Sequence, residues 1–125
     1  MIDMITKNFS RKELECRCGC GGCIEDELFL YNLQQLRDKF GVMPISSGYR
    51  CPDYNSKVSS TGETGPHTIA AVDVLVYGRE AYRLVMLAMV NGWDGIGVNQ
   101  KGKFNSRFIH LDRLYGANRP WVWTY

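Results

Sequence analysis

Thr64-Gly65-Pro66-His67-Thr68-Ile69-Ala70-Ala71-Val72-Asp73 is the stretch on which the reading of this chain turns: a glycine-proline turn, a histidine, then an apolar run closed by an aspartate. Ala70 to Val76 is too short for a helix before Gly78 and reads as a central strand carrying one buried carboxylate, Asp73. An unpaired buried carboxylate is costly, and a metal or cation beside it removes the cost. Further on, Phe108-Ile109-His110-Leu111-Asp112 again sets a histidine and an aspartate in an apolar run, and His67 and His110 are the only two histidines. Side chains two apart on a strand share a face, so His110 and Asp112 point together, and a sheet that pairs their strand with that of Asp73 brings all three to one patch. His67 must arrive from the loop before. Six extended residues span about 20 Å, so the chain has to bend between His67 and Asp73. Two imidazoles and one carboxylate suit a catalytic zinc, whose fourth position is left to water. The alternative is a pair of core histidines bonded to backbone.

Outward from this patch, Phe9 to Leu14 reads as a short helical turn with Ser10 as N-cap and Glu13 completing a capping box. From Glu25 to Phe40, Phe29, Leu33, Leu36 and Phe40 step by helical spacing, with Gly41 where a C-cap belongs. Met43 to Arg50 reads as a short strand running into a loop, and Cys51 to Pro66 as a long polar loop of turn residues. A second helix is expected over Arg79 to Asn91, with Ala81, Leu84, Val85 and Ala88 on one face. Trp93 to Val98 and Ser106 to Asp112 read as strands joined by a polar loop, and Trp121 to Tyr125 as a last strand. Strands without regular helix alternation after residue 92 favour a single α+β domain: a small antiparallel sheet carrying the zinc site, packed against two longer helices.

The 125 residues suffice for one core, and a net charge of +2 with 22% charged residues argues against an electrostatic grip on nucleic acid. Met1 to Asn8 lacks the layout of a signal peptide and no run approaches a membrane span, so synthesis in the cytoplasm without a leader or membrane insertion is expected. Four of the five cysteines fall in the glycine-rich loop 16–23, and Cys16, Cys18, Cys20 and Cys23 form a candidate structural metal site. Reduced thiols or disulfides are the alternatives.

Taken in order, Phe9-Ser10 with Glu13-Leu14, Ser47-Gly48-Tyr49-Arg50, Tyr54-Asn55, Gly65-Pro66-His67 with Ala71-Val72-Asp73, Gly95-Ile96-Gly97-Val98 and Phe108 to Asp112 resemble the zinc D-Ala-D-Ala carboxypeptidase family. That family includes phage L-alanyl-D-glutamate endolysins and, as a relative, the Hedgehog signalling domain. The resemblance implies His67, Asp73 and His110 as zinc ligands, Arg50 as the residue gripping substrate around the scissile peptide, and bacterial peptidoglycan as the target of a monomeric phage lysis or tail-associated peptidase. Two features depart from the family pattern. Five residues rather than six separate His67 from Asp73, with no glycine midway, and the places of the family's general base hold Arg107 and Phe108. Asp112 is the substitute expected from its shared strand face with His110, against a rival role in orienting an imidazole; Glu63 is the lesser candidate. A non-catalytic module of the same fold is the competing reading.

Overall fold

The computed structural model describes residues 1–116 and 118–125. Helix α1 (Arg11–Leu14) starts at the expected capping box: the Ser10 hydroxyl accepts from the Glu13 amide at 3.2 Å, and the Glu13 carboxylate accepts from the Ser10 amide at 3.0 Å. Helix α2 (Glu27–Phe40) begins two residues later than the periodicity suggests, because Asp26 caps it by accepting from the Phe29 amide. Its stripe of Phe29, Leu33, Leu36 and Phe40 is buried as expected, and Gly41 ends it at φ 109°, a left-handed backbone that glycine adopts without cost.

The supposed polar loop after residue 51 is instead largely helical. Helix α3 (Pro52–Val58) has Pro52 in its first turn and Cys51 as N-cap, the thiol accepting from the Tyr54 amide at 3.4 Å. Proline at the first helical position is a helix-start signal, here hidden among residues that also favour turns. Helix α4 (Gly78–Val90) buries Ala81, Leu84 and Ala88. None of the described helices is long and apolar enough to cross a membrane.

Five strands, β1 (Ile45–Ser47), β2 (Ala71–Leu75), β3 (Gly95–Asn99), β4 (Phe108–Asp112) and β5 (Trp121–Thr124), form one sheet in the order β1-β2-β4-β3-β5. All pairs are antiparallel except β3 with β5, which run parallel and make the sheet mixed rather than wholly antiparallel. Strand alternation divides the sheet. Val72, Val74, Ile96, Ile109 and Leu111 join the core formed with Leu33, Leu36, Leu84 and Ala88 of α2 and α4. The opposite face presents Asp73, His110 and Asp112, and these are the polar groups the sheet must satisfy.

Candidate functional site

Register places the first two of these residues side by side: Asp73 pairs directly with His110 across β2 and β4. His67 reaches the same point from outside the sheet. Gly65-Pro66 opens a 3-10 turn over Pro66–Thr68, closed by the Ile69 amide on the Pro66 carbonyl at 3.0 Å, and this turn supplies the required bend. A Cβ at Gly65 would lie 2.8 Å from Asn55 Nδ2, so the turn sits tightly on α3. Its other edge is held where the Arg50 amide donates to the His67 carbonyl at 2.9 Å.

His67 Nε2 and His110 Nδ1 stand 3.2 and 3.1 Å from the same oxygen, Asp73 Oδ1. Each ring's other nitrogen faces an acceptor. His67 Nδ1–H donates to the Gly48 carbonyl at 2.7 Å, and His110 Nε2–H donates to Asp112 Oδ2 at 2.8 Å. Those partners select the tautomers, so in neutral rings the two inward nitrogens are lone pairs aimed at a carboxylate. Three acceptors gathered in a buried place repel one another unless protons or a cation sit among them. Burial would push the Asp73 carboxyl up, but the hydrogen bonds and charges of His110 and His67 outweigh it and hold it well below the usual range. Burial likewise lowers the His110 imidazole, and its bonds to Asp112 and Asp73 overcome this and raise it.

The donor set fits a divalent zinc. Two nitrogens and one oxygen are its usual ligands, and tetrahedral bonds of about 2.0 Å give ligand-to-ligand edges of about 3.3 Å, close to the separations found here. All three ligand atoms lie within 4.8 Å of one another. The shortened spacing from His67 to Asp73 therefore leaves the three groups able to converge.

Residues 7–112 match the profile of the family described as Peptidase M15. The chain belongs to the Peptidase M15 family. No curated protein and no solved structure matches it. Membership in this zinc-dependent metallopeptidase family agrees with the donor set, and the M15 match spans both histidines and both aspartates.

Asp112 occupies a different place from the one a base requires. Its side chain is fully buried on the far side of His110 from Asp73, and its two oxygens accept from Arg119 Nε and Nη2 at 2.8 Å each. Burial opposes its ionisation, yet His110 and Arg119 hold its carboxyl down to about 2. This placement favours the rival role of a carboxylate that orients an imidazole over the expected base. Glu63 is exposed and lies outside the cavity lining.

Above the M15 donor set opens a cavity of about 720 Å³. Arg50 lines it, with Nε donating to Ser47 Oγ and Nη1 to Asn55 Oδ1, both at 3.1 Å, and with Nη2 3.6 Å from Asp73 Oδ2. Arg119, Trp121, Trp123 and Tyr125, to which the sequence alone assigns no role, form another wall. The Trp123 ring lies 4.9 Å from that of His110, in a space that exists because Gly97 has no side chain: a Cβ there would be 2.6 Å from Trp123 Nε1. Gly95 similarly leaves room for the Asp112 carboxylate. Burial of part of its ring raises the Tyr125 phenol. A groove of about 690 Å³ along α4 is lined mainly by apolar residues such as Tyr82, Met86 and Met89, and has none of this chemistry.

The cysteine loop gathers a different set from the expected one. Cys16, Cys18 and Cys20 meet Cys51, with all four sulfurs within 4.8 Å of one another. Cys23, three residues past Cys20, instead packs against the hydrophobic core.

Proposed function

We propose that this chain is a zinc peptidase acting on peptidoglycan stem peptides, with His67, Asp73 and His110 holding the metal. The observation that carries this reading is the convergence of three acceptor atoms, with tautomers fixed from behind, at the floor of an open cavity in an M15 chain. A bound zinc would polarise a peptide carbonyl and lower the pKa of water to about 7. The protein's own groups do the rest. Gly48 and Asp112 hold the two imidazoles in the tautomers that present a lone pair inward. Arg50 is fixed at two of its nitrogens by Ser47 and Asn55, which holds Nη2 at the cavity beside Asp73, in place to donate to a substrate carbonyl or carboxylate. Tyr125 offers a second hydrogen-bond donor, and Trp121 and Trp123 give the peptide an apolar wall. A carboxypeptidase on D-Ala-D-Ala and an endopeptidase on L-Ala-D-Glu are the two forms this takes, in a monomer of phage lysis or tail origin.

One observation favours the competing reading, a binding module without turnover. Among the described residues lining the cavity, Asp73 is the one carboxylate, so no separate acidic base is in place. Incubation with purified sacculi decides between them. Turnover predicts new amino termini, lost with a chelator and in His110→Ala, and mass analysis of the fragments identifies the bond. Sedimentation with sacculi but no new termini would establish the binding module.

A further inference from the structure

We propose that Cys16, Cys18, Cys20 and Cys51 bind a structural zinc ion that fastens the loop after α1 to the segment carrying Arg50. Cys16 Sγ is 3.4 Å from Cys18 Sγ, and Cys18 Sγ is 3.7 Å from Cys51 Sγ. Zinc–sulfur bonds of about 2.3 Å arranged tetrahedrally give sulfur-to-sulfur edges of about 3.8 Å, so the gathered thiols are already spaced for the ion. A disulfide needs about 2.05 Å, and all five cysteines are free thiols.

The backbone around the cluster is built for thiolates. Cys16 Sγ accepts from the Cys51 amide at 3.3 Å, Cys20 Sγ from the Gly22 amide at 3.4 Å, and Cys51 Sγ from the Tyr54 amide at 3.4 Å. Three of the four sulfurs thus receive an N–H, which spreads the negative charge that four thiolates leave on one divalent ion. Gly19, between Cys18 and Cys20, takes φ 86°, a left-handed backbone that glycine adopts without cost and that lets the loop turn within the cluster. Binding releases the thiol protons to solvent, and no oxidant or reductant takes part.

The fourth ligand gives the site its consequence. Cys51 follows Arg50 directly and caps α3, whose Asn55 holds the Arg50 guanidinium and reaches back to Thr61 before the His67 turn. The ion therefore anchors the scaffold of the cavity from a site that does not open into it. This proposal is independent of the peptidase reading, since the cysteines lie outside the cavity lining.

Elemental analysis of the full chain purified under reducing conditions tests it, together with cobalt substitution. In a His110→Ala background, one zinc per chain is expected to remain, and its cobalt form should show thiolate-to-cobalt charge-transfer bands. Cys18→Ser, at an exposed position, and Cys51→Ser, which preserves a helix-capping oxygen, should each lose that zinc and those bands, whereas Cys23→Ser should keep both. Circular dichroism checks that the variants remain folded. Iron in place of zinc, the mass loss of disulfides, no cysteine-dependent metal, or metal lost only in Cys23→Ser would each overturn the assignment.

Discussion

Replacing Asp112 by asparagine preserves shape but removes one acceptor from a buried triad. The aspartate serves three donors at 2.8 Å, Arg119 Nε, Arg119 Nη2 and His110 Nε2. An asparagine oxygen can face either the guanidinium or the imidazole, and its amide nitrogen then meets a donor on the other side. Arg119 has a side chain only 10% exposed, so its charge is left with little water in exchange. Breaking a buried pair in this way costs about 3 to 5 kcal/mol, which for a domain of this size lowers the melting temperature by roughly 10 to 20 °C. The imidazole also loses the partner that fixes its tautomer, so zinc affinity should fall about 10- to 100-fold. Chelator competition and thermal melting read the two effects, and peptidoglycan hydrolysis at saturating zinc should largely recover. Unchanged zinc affinity with turnover reduced on the order of 100-fold at full metal loading would refute this reasoning and return Asp112 to the role of base.

Arg50→Lys keeps the charge but loses the planar fork held by Ser47 and Asn55, so hydrolysis should fall at least tenfold with zinc content unchanged; equal activity would remove Arg50 from substrate binding. Gly97→Ala drives a methyl group into Trp123 and the His110 Cβ, at 2.6 and 2.9 Å from the nearest atoms, and should cost about 1 to 3 kcal/mol, measurable by urea denaturation. Metal-free protein should show stability that depends on pH at both ends. The Asp112 carboxyl, held down to about 2 from an unfolded value near 3.9, contributes about 2 kcal/mol above about pH 4 that is lost as pH falls through about 2. The raised His110 imidazole stabilises below its unfolded pKa, a contribution lost as pH rises through its folded value. Denaturation midpoints of chelated protein across this range check both signs, and a flat profile would contradict them.

The convergence of His67, Asp73 and His110 was legible because it depends on features that sequence states directly: strand alternation, a turn before His67, and only two histidines to place. The helical stripes of α2 and α4 were legible for the same reason, as period and cap agree. Helix α3 was not, since Pro, Asp, Asn and Ser suit both turns and a first helical turn, and the capping group is a cysteine rather than the usual hydroxyl or carboxylate. Direction along a strand likewise leaves no mark on alternation, so the parallel pairing of β5 was hidden. Asp112 shares the expected face with His110, but which side of the ring it occupies depends on Arg119 and on the absence of a side chain at Gly95. Cys51 joins the other thiols only through the path of β1 and its exit, a tertiary fact that spacing along the chain cannot express.

Strand β5 divides responsibilities within the domain. The Peptidase M15 match stops at residue 112, so it contains every proposed ligand to the catalytic metal, while Arg119, Trp121, Trp123 and Tyr125 come after it. The proposed metal ligands and part of the cavity wall thus come from consecutive passages of the chain, with Arg50 contributing to the cavity from the earlier one. Of the later residues, Arg119 alone reaches back into the polar network behind the metal. Exchanging 120–125 while keeping that arginine and Trp123, whose ring packs on His110, would reshape the cavity wall without moving the proposed metal ligands, because a parallel edge strand can be replaced without reordering the four strands beside it.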